Sequence, residues 1–428
     1  MNFKTLQSRL VSILNKPIVR GTFWMFLAQG MRIFVQGAYF VLIARTLGSE
    51  QYGAFVGVAA LVGLISPFCS LGSQHILVKQ VSRQRHLLPE YWGNALFMTL
   101  VSSVILAIVT LGAAQRFLPQ TISPWLVLLI ALADMVFLKI IDTAGKAFLA
   151  CDLTRWTAKV ELLKSVKNLM AALCLVSFFT QPSILVWGAI YCGSTAFTAL
   201  VLVLLVGKML GTPKLALQRI KPELTEGFYF SVSSSAHKVN KNLDKTMLAQ
   251  LASLEATGIY AAAYRLIDVA FTPILSLLGA AYSKFFRQGT KGIRGSLELT
   301  KKLIPIAIVY GLVATVSLFF IAPVIPQILG EQYTNAVEAL RWLAPLLLLK
   351  SLQYFASDTL TGAGFQGLRS AMQVSAALFN LLLNLYLIPL YSWKGAAWAS
   401  LASDGLLLIG LWIIVVYFER RSSQSANL

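Results

Sequence analysis

Five trios of polar residues recur at one spacing inside apolar runs of the chain. They are Gln29, Arg32 and Gln36; Lys139, Asp142 and Lys146; Glu161, Lys164 and Asn168; Lys238, Lys241 and Lys245; and Lys350, Gln353 and Ser357. An i, i+3, i+7 interval puts each trio on one face of a helix. A charge at the centre of a bilayer costs about 2.5–3.5 kcal/mol even on the lenient insertion scale, so such faces turn toward a bundle interior or a wet cavity. The recurrence predicts one shared cavity lined with positive charge, a chemistry suited to holding an anion. The expected substrate-binding residues are Arg32, Lys139, Lys164, Lys238, Lys241, Lys245 and Lys350. Arg32 suits bidentate phosphate contact, and Lys350 has no acid within one turn of its own helix.

The acids suggest a second chemistry. A carboxylate inside a membrane can carry protons or hold a cation. Asp134, Asp142, Asp268 and Asp358 are the expected ion-coupling residues, with H+ or Na+ as the coupling ion and Asp134 the most isolated of them. The competing role is neutralisation of a nearby lysine, by Asp244 for Lys241 or Lys245 and by Glu161 for Lys164 or Lys167. His75, His86 and His237 fall in no metal-ligand spacing, and no phosphate-binding glycine loop occurs. No catalytic residue, metal or cofactor is therefore expected, nor direct coupling to ATP.

The composition says what must position these residues. Of 428 residues, 57% are hydrophobic and 12% charged, about half the charged share of an ordinary soluble domain. Apolar runs near 20 residues long make the chain an all-α polytopic membrane protein. About twelve spans are predicted, at 18–43, 52–72, 94–114, 123–149, 157–179, 184–206, 227–250, 257–280, 303–322, 337–361, 368–390 and 394–418. The net charge of +19 would suggest nucleic acid in a soluble protein. Here it falls in short loops, where it orients the chain and meets anionic lipid headgroups, and no nucleic-acid partner is expected. With both termini cytoplasmic, the inner loops hold Lys79, Arg83, Arg155, Lys208, Lys214, Lys291 and Arg369, whereas the outer loops hold little beyond Arg45, Arg116 and Lys394. Cys69, Cys151, Cys174 and Cys192 lie in or beside apolar segments and read as small hydrophobes.

An internal repeat divides the chain. At an offset of 205, Ala44 falls on Ala249, Glu50 on Glu255, Gly53 on Gly258, and Gln36 on Lys241. At 216, Asp142-Thr143 falls on Asp358-Thr359. Two six-helix units in parallel orientation follow, with a site at their interface. The expected organisation is a basic amphipathic lead-in at 1–17, a first lobe at 18–206, a linker at 207–226, a second lobe at 227–418 and a tail at 419–428.

The stretch Ile43-Ala44-Arg45-Thr46-Leu47-Gly48-Ser49-Glu50-Gln51-Tyr52-Gly53 resembles the first outer loop of bacterial polysaccharide-unit flippases. These belong to the multidrug/oligosaccharidyl-lipid/polysaccharide exporter (MOP) superfamily. Thr257-Gly258-Ile259-Tyr260 through Tyr264-Arg265-Leu266, and Asn384 through Ile388-Pro389 with Gly395-Ala396-Ala397, are similar to later parts of that superfamily. The resemblance implies a two-lobed, twelve-helix transporter of the bacterial inner membrane and not an enzyme. It would turn oligosaccharide units linked to undecaprenyl pyrophosphate from the inner to the outer leaflet by alternating access, for O-antigen, capsule or a related polysaccharide. A polysaccharide polymerase and a chain-length regulator are the implied protein partners. The alternatives are a multidrug exporter of the same superfamily, whose organic cations a lysine-lined cavity would repel, and a membrane glycan polymerase or ligase, which the short outer loops oppose.

Overall fold

The computed structural model describes residues 17–180, 182–216, 218, 224, 231, 235 and 242–424, with backbone alone at 17–29, 280, 283, 423 and 424. Among them there are helices and no strands. Residues 1–16 of the expected lead-in at 1–17, most of the seventh span, and Lys238 and Lys241 lie outside the described residues.

Helix α1 (Pro17–Ile65) has 49 residues, about 73 Å if straight, more than twice a hydrocarbon core of about 30 Å. It crosses twice because it breaks at Gly48, whose φ of 73° and ψ of 174° only glycine adopts without strain. A 3₁₀ turn at Ser66–Ser70 and the short α2 (Ser73–Val81) follow. Then come α3 (Leu88–Phe117), α4 (Pro124–Ala150), α5 (Thr154–Phe178) and α6 (Ile184–Leu210). The second half holds a helical stretch at 242–251, α7 (Leu254–Gly289), α8 (Ile293–Ile321), the single-turn α9 (Ile325–Leu329), α10 (Thr334–Leu343) and α11 (Leu346–Gly362). The last helix, α12 (Gln366–Gln424), breaks at Ser392 (φ 52°) and again crosses twice.

Local chemistry starts these helices where the sequence signals it. Ser123, Ser183 and Ser253 accept hydrogen bonds from the backbone N–H groups of Trp125, Val186 and Ala256 at 3.3, 3.3 and 3.0 Å. Pro345 sits at the break between α10 and α11, so the tenth span is two helices. Seven of the continuous described helices are long and apolar enough to cross a membrane. Helix α5 is not among them, because Lys159, Glu161, Lys164 and Lys167 crowd it. Large apolar side chains such as Ile108, Phe197, Val309, Phe320 and Leu382 are more than half exposed, as lipid-facing residues must be.

The turns alternate between two ends of the bundle. One end carries Lys79, Arg83, Arg155, Lys291 and Arg369, and is termed the basic end; the other, near Gly48, Ser123 and Ser392, is the charge-poor end. Helices α3 to α6 pack on one another and on α1, and α7 to α12 pack on one another. The two groups meet chiefly where α1 crosses α7. The chain leaving α6 is strapped to the start of α3: Lys214 N–H donates to the Pro89 carbonyl at 2.8 Å, and the Asn94 amide makes paired bonds with the Ala216 backbone at 2.9 and 3.1 Å.

At the α1–α7 crossing the backbones touch. A Cβ on Gly53 would lie 1.7 Å from the Leu254 carbonyl oxygen, and one on Gly258 would lie 2.0 Å from that of Ser49. The 205-residue offset maps Gly53 on Gly258 and Ser49 on Leu254, so the two contacts are copies of each other across an approximate two-fold relation. Further contacts close the charge-poor end. Ser49 N–H donates to Gln332 Oε1 at 3.2 Å, and Tyr333 Oη donates to the Ala44 carbonyl at 3.1 Å. Gly258→Leu is expected to force the halves apart there, since backbone cannot yield as a side chain can. In a background without native cysteines, thiol cross-linking of Ser49→Cys to Gln332→Cys should fall by most of its yield when Gly258→Leu is added.

Candidate functional site

The first stripe is explained by what it faces. Arg32 and Gln36, one turn apart on α1, meet Glu161 and Ser165, one turn apart on α5: Arg32 Nη1 lies 3.8 Å from Glu161 Oε2, and Gln36 Nε2 donates to Ser165 Oγ at 3.1 Å. Lys164 Nζ then joins Glu161 at 2.7 Å and Asp142 of α4 at 2.9 Å. Two cations and two carboxylates therefore cancel in one half-buried group that binds α1, α4 and α5 together. Deeper in the same half, Tyr191 Oη donates to Asp134 at 2.6 Å, and Lys167 Nζ donates to Thr195 Oγ1 at 2.5 Å and lies 4.4 Å from the Tyr191 ring centre. Asp134 sits in a π-helical stretch of α4, Leu132–Phe137.

The second half holds a polar cavity of ≈ 260 Å³ between α7, α11 and α12. Its charged lining is Lys350 and Arg369 against Asp244, Asp268 and Asp404. Lys350 Nζ lies 3.9 Å from Asp404 Oδ2 and donates to Tyr264 Oη, and it sits 4.6 Å over the Tyr264 ring. Lys245 Nζ lies 4.8 Å from the centre of the same ring. Tyr260 Oη donates to Asp244 Oδ2 at 2.5 Å. Asn380 Nδ2 donates to Ser403 Oγ at 3.0 Å.

The expectations are changed in several places. The described stripes are not a bare cationic lining. Lys350 has no acid within one turn on its own helix, but Asp404 supplies one from α12, brought close only by the fold. Asp134 is not isolated, since Tyr191 holds it. Asp142 pairs with Lys164 across two helices and not with Lys139 or Lys146 on its own. Glu161 takes Lys164, while Lys167 goes to a hydroxyl. Lys139 is half-buried near Cys69 and His75 and makes no ion pair among the described residues. Arg32 and Lys350 therefore lie in separate polar groups. Asp268 lines the cavity, and Asp358 is buried beside it, next to the lining residue Ser357.

One residue of the second half reaches the first group. Arg265 of α7 donates from Nη2 to Gln36 Oε1 through a long contact of 3.5 Å, while Gln36 also reaches Ser165. Among the described residues Arg265 makes no ion pair, and it lies where the halves meet, beside Tyr39 and Tyr52. It was missed because it stands alone instead of in a trio. Of the two acids on Lys164, Asp142 is the less exposed, 28% against 47% for Glu161, so solvent screens it less. Asp142→Ala should lower stability by about 1–2 kcal/mol, and Glu161→Ala by less. Thermal unfolding of the purified variants in one detergent checks that order.

The comparisons with known proteins agree with this architecture. The chain is 20% identical over 402 residues to the Escherichia coli (strain K12) protein named "Putative O-antigen transporter", covering 91% of this chain and 94% of that one. Its fold matches an inward-facing multidrug resistance MATE family transporter of the MOP superfamily, with a TM-score of 0.73 at 14% identity over 91% of this chain and 96% of the other. It also matches the lipid II flippase MurJ in an inward closed conformation, with a TM-score of 0.71 at 11% identity over 92% and 87%. The family model described as "Polysaccharide biosynthesis protein" matches residues 18–286, and the chain belongs to that family.

Proposed function

We propose that this protein is a flippase that carries undecaprenyl-pyrophosphate-linked oligosaccharide units from the inner to the outer leaflet of the bacterial inner membrane. The units would serve O-antigen, capsule or a related surface polysaccharide. The observation that carries the reading is Arg265: a fixed cation at the meeting of the two halves, facing a neutral amide, with no described acid to cancel it. A guanidinium so placed suits a pyrophosphate, which it can grip through two parallel hydrogen bonds. Arg32 lies one turn from Gln36 on the same helix, and its contact with Glu161 is long at 3.8 Å, so it serves as the second proposed ligand. Lys238 and Lys241 of the seventh span remain proposed ligands on the grounds of their sequence pattern.

In this reading both termini are cytoplasmic, so the basic end faces the cytoplasm and the charge-poor end is the closed outer side. The head group enters from the inner leaflet between the halves while the lipid tail stays in the bilayer. Rocking of the halves, which must part the Ser49–Gln332 and Tyr333–Ala44 contacts, then opens the site outward. Inward movement of H+ or Na+ resets the empty carrier, with Asp134, Asp142, Asp268 and Asp358 as the carboxylates that could carry it. A polymerase and a chain-length regulator would act on the product. The three carboxylates of the second-half cavity give the multidrug-exporter reading one observation in its favour.

Reconstituted vesicles with labelled lipid-linked saccharides test these points. Arg265→Leu should slow the change of leaflet at least about tenfold without lowering the protein in the membrane, and Arg265→Lys should recover part of it. Normal rates in both Arg265→Leu and Arg32→Ala would remove the assignment. Export of ethidium with no movement of saccharide would favour the multidrug reading. Transport unchanged after collapse of both ion gradients would remove the coupling.

A further inference from the structure

Gln36 holds partners from both halves of the chain. Its Nε2 donates to Ser165 Oγ of α5 at 3.1 Å, and its Oε1 accepts from Arg265 Nη2 of α7 at 3.5 Å. Chemistry forces that orientation. A guanidinium carries only donors, so the amide oxygen must face it and the NH2 group must turn away. Gln36 and Arg265 are both half-buried, so part of each stays open to a ligand. Arg32 stands one helical turn before Gln36 on α1, the i, i+4 interval at which side chains meet. The amide is therefore next to both arginines proposed to grip the pyrophosphate.

The charge that this side chain lacks is as telling as the bonds it makes. A carboxylate of the same shape would form an ion pair with Arg265 and compete with Glu161 for Arg32, taking up the donors that a phosphate needs. An amide oxygen holds a guanidinium more weakly, and the contact is long, so an arriving anion displaces it at little cost. Among the described residues Arg265 makes this one hydrogen bond, which leaves most of its N–H groups open. The repeat points the same way. The 205-residue offset lays Gln36 on Lys241, so neither copy places an acid at this register. Resting on the flippase reading above, we infer that Gln36 is the specificity-determining residue of the junction. Its uncharged amide positions Arg265 without neutralising it, and that neutrality sets the site to receive an anionic head group.

The test uses the full chain in lipid nanodiscs and measures binding of undecaprenyl pyrophosphate and of undecaprenol, which lacks the anion. Gln36→Glu should lose at least about tenfold toward the pyrophosphate and nothing toward undecaprenol. Gln36→Met keeps the size and the neutrality, and should lose no more than about threefold. A merely structural role predicts the reverse order, since glutamate keeps an acceptor for Arg265 and methionine does not. Gln36→Lys reads the same charge from the other side, and serves if Gln36→Glu fails to fold. It should bind the pyrophosphate no less tightly than Gln36→Met. Wild-type affinity in Gln36→Glu, a loss in Gln36→Met as large as that in Gln36→Glu, or weaker binding by Gln36→Lys than by Gln36→Met would overturn the inference and leave the flippase reading standing. Equal losses toward pyrophosphate and undecaprenol would also overturn it, because they report general damage. A wild-type protein that does not distinguish undecaprenyl pyrophosphate from undecaprenol would remove the flippase reading itself.

Discussion

Charge inside a low-dielectric bundle must be answered, and that constraint organises the interior of this protein. Bringing an ammonium and a carboxylate out of water costs several kcal/mol per ion, so their attraction does little more than offset the loss. Such pairs are therefore weak sources of stability and strong sources of specificity, because a lone member is far costlier than the pair. Arg32, Glu161, Lys164 and Asp142 decide that α5 lies against both α1 and α4. Lys350 and Asp404 decide which faces of α11 and α12 meet. Arg265 stands out against this background because no described acid meets it.

Where the halves join, the interaction is of another kind. Gly53 and Gly258 let two backbones touch, and the contacts are related by the repeat. At Gly53 and Gly258 the junction is backbone against backbone, with no side chain between to reorganise, which suits a surface that must part and close again. The hydrogen bonds at the same end, from Ser49 and Tyr333, go to single acceptors and are few. The closed end is thus held by shape and a handful of bonds, not by buried charge.

The two halves share a plan and differ in content. Thr143 and Thr359, matched by the 216-residue offset, each donate to the carbonyl four residues back, at 2.7 Å. Yet the first half gathers its charges into one paired group, while the second encloses a polar cavity lined by Lys350, Arg369, Asp244, Asp268 and Asp404. Duplication supplied the scaffold, and divergence of the polar faces separates a structural lock on one side from a polar cavity on the other.

Length and apolar runs were enough to read the all-α membrane class, because those properties depend on residues near one another or on simple periodicity. The helix starts at Ser123, Ser183 and Ser253 are local in the same sense, since a cap acts within three residues. The polar stripes were legible as faces but not as charges. Whether Lys350 is bare or paired depends on Asp404, 54 positions along the chain, and whether Asp134 is isolated depends on Tyr191. A sequence lists donors and acceptors without saying which will be neighbours. Only packing decides that, since electrostatic energy depends on distance in space and not on distance along the chain.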